Sequence, residues 1–303
     1  MDKFDLFVWT EALGCGEILE PCLKSYVTHH DVPIQVYIYE EDLSLIPVHP
    51  LIIPRVLNDQ METDGLKKST IIEAYKKGHR GTATLWTALI KNRSENSLIH
   101  LDADSVFLKD VVSPIFAKLE AGYGVVGTRR PYKKRANKKL NYSSVVHYFR
   151  PDSVNTHCFG FKRNEIDLEE DILVRLIQGL GRNRLTQVVF PVIDFFDRVT
   201  FYIRRKSNVF YLDSLTQKRS GHHDRKGLIE SSMISFAAVG SGCSYYKNPN
   251  SATSESYKDF ALQSFALYSK YLLDQNIDYP ILDSPFLLDQ LERLDRSTWT
   301  LRE

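Results

Sequence analysis

The sequence predicts an α/β fold in which a mixed, mainly parallel sheet is flanked by helices. Three observations carry that reading. Short runs rich in Val, Ile, Phe and Tyr alternate with helical patterns between Phe4 and Phe107, a turn or loop signal separates them, and the runs are short enough to be buried strands. Strand, helix, strand, helix, strand is the rhythm of crossover connections that cover a sheet with helices.

Phe4–Thr10 reads as the first strand and leads into a turn marked by Gly14 and Gly16. A helix expected over Glu17–His29 places Ile18, Leu19, Cys22, Leu23 and Tyr26 on one face. Ile34–Tyr39 is the second strand. The stretch Ile46–Leu57 contains Pro47, Pro50 and Pro54, which excludes a central strand or a helix interior because proline has no N–H to donate. Gly81–Lys91 reads as a helix and Ser97–Phe107 as a buried strand.

Beyond residue 140 the periodicity weakens. Val188–Ile193, Val199–Ile203 and Val209–Leu212 are strand-like, and Gln217–Gly227 reads as a loop. A helix is expected from about Glu255 to Leu273, and Ser284-Pro285 has the cap chemistry of a last helix through Leu294.

Composition narrows the class. The chain has 303 residues, 43% of them apolar and 25% charged, which excludes disordered, collagenous and coiled-coil proteins. No apolar stretch of about 18 residues is present, so no membrane span is expected. Thirty-nine basic against 38 acidic residues leave a net charge of +1, which argues against bulk nucleic-acid binding. Cys15, Cys22, Cys158 and Cys243 form no CxxC pair and are expected to be reduced. The start, Met1-Asp2-Lys3-Phe4-Asp5, is too short and acidic for a signal peptide, and the expectation is a cytoplasmic protein.

The strongest feature is Leu98-Ile99-His100-Leu101-Asp102-Ala103-Asp104-Ser105-Val106-Phe107-Leu108. Two carboxylates end one apolar run and a second run follows at once. Like charges beside a hydrophobic strand are costly unless a cation lies between them. An all-oxygen pair suits Mg²⁺ or Mn²⁺, which bind through one or two carboxylates plus substrate phosphates. The competing reading is a strand-end turn capped by Asp. In open α/β sheets ligands sit at the carboxyl ends of the strands, here the loops after Thr10, Tyr39 and Leu101.

Leu101-Asp102-Ala103-Asp104 at the end of a buried strand, after the Gly-rich helix start around Gly78 and Gly81, resembles the DxD signature of GT-A glycosyltransferases. The resemblance spans roughly Phe4 to Gly127 and is most specific at the two aspartates. It implies a GT-A-like fold and a metal-dependent hexosyl- or pentosyltransferase. Such an enzyme moves a sugar from a nucleotide-diphosphate donor, a UDP- or GDP-sugar, to a glycan or other hydroxyl acceptor. Asp102 would contact the ribose, or the metal through water, and Asp104 would bind the metal directly. On this reading residues 1–215 form the nucleotide-sugar-binding domain with acceptor-side strands. Residues 216–303 add a smaller, helical part packed on it.

Other positions follow from the same resemblance. Thr10-Glu11 and Glu40-Glu41-Asp42 sit where the nucleoside is held, and a carboxylate there would accept a base N–H; the plain alternative is a solvated acidic loop. Arg80, in Gly78-His79-Arg80-Gly81-Thr82-Ala83, would clamp phosphate or a sugar hydroxyl, or Thr82 would simply cap the helix. Trp86 and His100 read as core residues. A third metal ligand, often His, is expected late in the chain, and Ser220-Gly221-His222-His223-Asp224 offers His222; solvated loop histidines are the alternative. Thr156–Phe161 would be the strand lining the acceptor cleft.

Pro191-Val192-Ile193-Asp194-Phe195-Phe196-Asp197 places two carboxylates at a strand end. An inverting transferase needs a general base for the acceptor hydroxyl, with Asp194 the first candidate and Asp197 the second; a turn cap and a pair with Arg198 are the competing roles. Between Arg129 and Lys139 seven of eleven residues are basic, which fits a solvated loop, a loop gripping an anionic acceptor, or a nucleic-acid patch. Val239–Ser244 is a small-residue turn. The rival functions are a nucleotidyltransferase of similar sheet plan and a non-catalytic nucleotide-binding protein. The first is disfavoured because Glu11–Gly16 contains no Lys or Arg.

Overall fold

The structure is a computed structural model that describes residues 5–14, 16, 19–76, 81–103, 105–129, 154–165, 208–212, 217–219 and 232–235. The chain opens with strand β1 (Leu6–Ala12), helix α1 (Leu19–His29) and strand β2 (Ile34–Tyr39). A 3₁₀ turn (Glu40–Leu45) then leads to β3 (Ile52–Leu57). Helices α2 (Lys68–Lys76) and α3 (Gly81–Asn92) precede β4 (Ser97–Leu101) and β5 (Ser105–Phe107). Helix α4 (Val112–Glu120), β6 (Val125–Arg129) and β7 (Val154–Lys162) follow, and β8 (Val209–Tyr211), β9 (Gln217–Arg219) and β10 (Met233–Ser235) complete the described elements.

Seven strands form one sheet in the order β3-β2-β1-β4-β7-β6-β8, and β5, β10 and β9 form a second, three-stranded sheet. The pairs β2·β3, β1·β2, β1·β4 and β6·β8 are parallel, whereas β7 runs antiparallel to both β4 and β6. The sheet is therefore mixed and mainly parallel, as the sequence predicts.

Side-chain alternation splits the core into two layers. On one face Val8, Ala12, Val36, Ile38, Ile99 and Leu101 pack against α1 and α4. On the other, Phe7, Trp9, Tyr37, Tyr39, Leu98 and Phe159 pack against α2 and α3. In α1, Leu19, Cys22, Leu23 and Tyr26 form the buried stripe expected from their spacing. Helix α4 packs close against Gly160 of β7, where an added Cβ would stand 2.5 Å from Ile115 and 2.9 Å from Leu119. Cys22 and Cys158 are buried free thiols. Burial, with the Asp102 carboxylate adding to it, pushes the Cys158 thiol well above its ordinary range.

Three elements differ from the sequence reading. Ser97–Phe107 is two strands in two sheets. The Asp102 carboxylate has no place in a buried ladder, so the β4 ladder ends at Leu101 and β5 pairs with β10 instead. The stretch from Gln217 begins with strand β9 rather than being loop throughout, because β10 supplies a parallel partner. Helices α2 and α4 were not foreseen. Helix α4 starts at Val111-Val112-Ser113-Pro114, a segment without an obvious cap, and it is the Asp110 carboxylate that accepts the Val112 and Ser113 N–H groups at 2.9 and 3.1 Å.

The proline-rich stretch resolves as expected. Pro54 lies in β3, the edge strand of the seven, where a missing donor can face away from the sheet. No helix among the described residues is long and apolar enough to cross a membrane. Val188–Ile193, Val199–Ile203 and the two expected C-terminal helices lie outside the described residues.

Candidate functional site

The carboxyl ends of β1, β2 and β4 meet at one end of the seven-stranded sheet, with the amino-terminal half of β7 beside them. The loops there are in contact: a Cβ on Gly16, after β1, would stand 2.6 Å from the Asp42 side chain, after β2. Leu101 pairs with Cys158 across the antiparallel β4–β7 ladder, which brings His157 alongside Asp102.

Asp102 is held from β7 in two ways. Its backbone N–H donates to the His157 carbonyl at 2.9 Å. Its Oδ2 lies 2.5 Å from His157 Nδ1, with the imidazole N–H donating to the carboxylate. Alternation along β4 turns Leu98, His100 and Asp102 toward the α3 face, and Glu11 of β1 shares it. His100 Nε2 lies 3.1 and 3.2 Å from the two Glu11 oxygens and 3.9 Å from Asp102 Oδ1. Trp86 of α3 donates its indole N–H to Glu11 Oε1 at 2.9 Å.

A line of polar groups thus runs inward from Asp102 through His100 and Glu11 to Trp86. The Asp102 side chain is 20% exposed, against 1% for His100 and 8% for Glu11, so Asp102 is the member open to a ligand. Trp86 also contacts the ring of His100, with centroids 4.5 Å apart, and both pack on Phe159. A carboxylate enclosed in an apolar layer is costly unless donors satisfy its oxygens.

The remaining candidates divide as follows. Glu40 begins the 3₁₀ turn after β2 and is exposed. Its neighbour Glu41 pairs with Lys68 at 2.5 Å, and that ammonium also lies over the Tyr39 ring. Thr10 is fully buried, and its hydroxyl has no hydrogen-bond partner among the described residues. Glu11 is partly buried, with both side-chain oxygens facing donors of the protein itself. Asp104, Arg80, His222, Asp194 and Asp197 lie outside the described residues, as does the basic stretch after Arg129.

His100 and Trp86 read as core residues in the sequence, and both are buried. Their link to Asp102, and the part played by His157, lie outside that reading. The period-two spacing of His100 and Asp102 was a usable signal that they share a face. Nothing local in the chain pointed to His157 opposite them.

Among the described residues no three His, Cys, Asp or Glu side chains converge as a closed metal cage. Asp102 is a partly exposed, oriented carboxylate, the donor type that Mg²⁺ and Mn²⁺ sites use one or two of. Asp104, two residues later in the sequence, lies outside the described residues.

No family model matches the chain, and no curated protein matches it either. Among solved structures, the galactosyltransferase LgtC in complex with donor and acceptor sugar analogs matches 84% of this chain and 94% of its own, at 11% identity and a TM-score of 0.50. An active-site mutant of LgtC gives a TM-score of 0.48. The apo structure of the bifunctional glycosyltransferase WbbM gives 0.49 at 11% identity, over 95% of this chain and 51% of that one. With its mixed seven-stranded sheet and helices on both faces, this chain has a GT-A-like fold.

Proposed function

We propose that the protein is a metal-dependent glycosyltransferase that moves a sugar from a nucleotide-diphosphate donor to a hydroxyl acceptor. The observation that carries this reading is the Asp102 carboxylate: partly exposed, tied to His157, and set at the carboxyl end of β4, where open α/β sheets bind their ligands.

Asp102 and Asp104 would hold a Mn²⁺ or Mg²⁺ ion together with the donor diphosphate. Bound there, the cation would supply neutralisation of the charge that develops on the departing diphosphate. Glu40, exposed at the end of β2, is the carboxylate assigned to a base N–H of the nucleotide. Glu11 acts from the interior by holding His100 and Trp86. Thr10, fully buried, lies behind the donor site and is assigned no ligand contact, and Arg80 clamps phosphate or a sugar hydroxyl. His222 is the candidate for a further protein ligand late in the chain. If the reaction inverts, Asp194, or failing that Asp197, takes the proton of the acceptor hydroxyl as its oxygen attacks the anomeric carbon and the sugar–phosphate bond breaks.

The test is a thermal-shift panel of UDP-, GDP- and CMP-sugars with and without Mn²⁺. Occupancy at a hundredfold over Kd adds roughly 2.7 kcal/mol of stability. Stabilisation by one nucleotide sugar that requires Mn²⁺, followed by release of the nucleoside diphosphate with an acceptor, supports the reading. Stabilisation by nucleotide with no turnover of any sugar donor would favour a binding protein. Turnover of a nucleoside triphosphate with a sugar phosphate would favour a nucleotidyltransferase.

A further inference from the structure

We infer that His157 is a positioning residue for the donor site, fixing the Asp102 carboxylate in the one orientation that serves a cation and diphosphate. The inference rests on the donor-site reading above and adds to it a residue from the antiparallel strand β7.

Asp102 follows the last residue of β4, where alternation sets the face a side chain takes but not its rotation. His157 supplies that control. The main-chain bond at 2.9 Å pins the Asp102 backbone to β7, and the imidazole N–H at 2.5 Å then selects Oδ2. With Oδ2 engaged by the ring, the rotation of the carboxylate is set. His100 does not compete as a close donor. Its Nε2 lies within 3.2 Å of both Glu11 oxygens but 3.9 Å from Asp102 Oδ1. His157 itself is nearly buried, at 8% exposure, so its ring is held by its surroundings and not by solvent.

Strand β7 is irregular where it carries this residue. Against β6 the register runs Gly127 with Phe159 and then Arg129 with Val154, so His157 falls inside a shifted stretch. Such bulges re-aim side chains and are common beside active sites. Partners that orient a metal-binding carboxylate or imidazole typically change metal affinity by about 10–100-fold when removed.

Three substitutions separate a clamp from a space-filling role. Asn places an amide N–H near the position of Nδ1, Gln carries its amide too far out, and Phe keeps the ring without a donor. The probe is Mn²⁺ with UDP or GDP, and the readout is the dissociation constant by titration calorimetry, with circular dichroism reporting the fold of each variant. His157→Asn is expected to stay within about threefold of wild type, while His157→Gln and His157→Phe lose about tenfold or more. If His157→Phe binds as wild type does, or His157→Asn loses as much as His157→Gln, the clamp is overturned and the donor-site reading stands. A wild-type protein that binds neither nucleotide with Mn²⁺ overturns the donor-site reading itself, and the role of His157 with it. Should His157→Phe fail to fold, the Asn and Gln pair decides alone.

Discussion

Asp102 and His157, 55 residues apart in sequence, meet twice: the aspartate N–H reaches the histidine carbonyl at 2.9 Å and the imidazole reaches the carboxylate at 2.5 Å. One strand-end residue is therefore fixed in backbone and side chain by the neighbouring antiparallel strand. Behind it, His100, Glu11 and Trp86 give the site a polar floor within an aromatic layer.

That floor predicts a stability effect. Glu11→Ala would leave the Trp86 indole N–H and the His100 Nε2–H without their shared acceptor in a buried setting. Each orphaned donor costs about 1–3 kcal/mol. Urea unfolding should show a loss of roughly 2–4 kcal/mol. Glu11→Gln, which keeps one acceptor oxygen, should lose less. Equal stability of Glu11→Ala and wild type would mean that the two donors find water.

Packing at Gly160 gives a second expectation. A Cβ there meets Ile115 at 2.5 Å, Leu119 at 2.9 Å and Ile99 at 3.2 Å. Gly160→Val must push α4 off the sheet, and overpacking of this kind costs about 1–3 kcal/mol. A lowered urea midpoint with an unchanged slope is the expected signature, with Gly160→Ala falling between wild type and Gly160→Val.

His30 predicts a pH dependence. Burial lowers its pKa from 6.5 to about 4 and outweighs the opposing bond to the Tyr26 carbonyl and the nearby Asp110 charge. Its ring stacks on Tyr26, Nδ1 donates to the Tyr26 carbonyl at 2.8 Å, and Nε2 accepts the Val111 N–H at 3.1 Å. As pH falls below 6.5 the unfolded chain takes up a proton that the folded chain refuses. Stability is therefore whole above pH 6.5 and declines toward pH 4, by about 3 kcal/mol over the full window. His29, lowered by burial as well, acts in the same direction. Urea titrations at pH 7.5, 5.5 and 4.5 should show this slope, and His30→Gln should flatten it despite a lower starting stability.

Asp104→Asn should keep the fold and weaken Mn²⁺-dependent UDP or GDP binding by at least about tenfold, because the cation loses a charged ligand. Titration calorimetry of the folded variant checks this. Unchanged affinity would remove Asp104 from the donor site.

For an inverting reaction, Asp194→Asn should lower kcat by about 10²–10⁴-fold and leave donor Kd nearly unchanged, since the lost proton transfer belongs to the transition state. Steady-state transfer assays with donor titrations separate the two quantities. A modest loss would indicate a retaining reaction, and a full loss in Asp197→Asn instead would move the base to that residue.

Apart from β3 and α2, the order of strands and helices through β4 was legible in the chain because it is written in local periodicity. Ile34–Tyr39 matches β2 residue for residue, and the apolar stripe of α1 holds as spaced. The prolines of residues 46–57 pointed away from a central strand, and β3 lies at the sheet edge. By itself the sequence determined that two carboxylates end a buried strand and that His100 shares a face with the first of them, since alternation has a period of two. It could not choose what stands opposite. The turn after Leu101 that sends β5 into another sheet, the return of β7 antiparallel to β4, and the reach of Glu11 to His100 across 89 residues are tertiary decisions. They depend on which distant strand fills a given edge, a choice set by the packing of the whole sheet and carried by no local pattern.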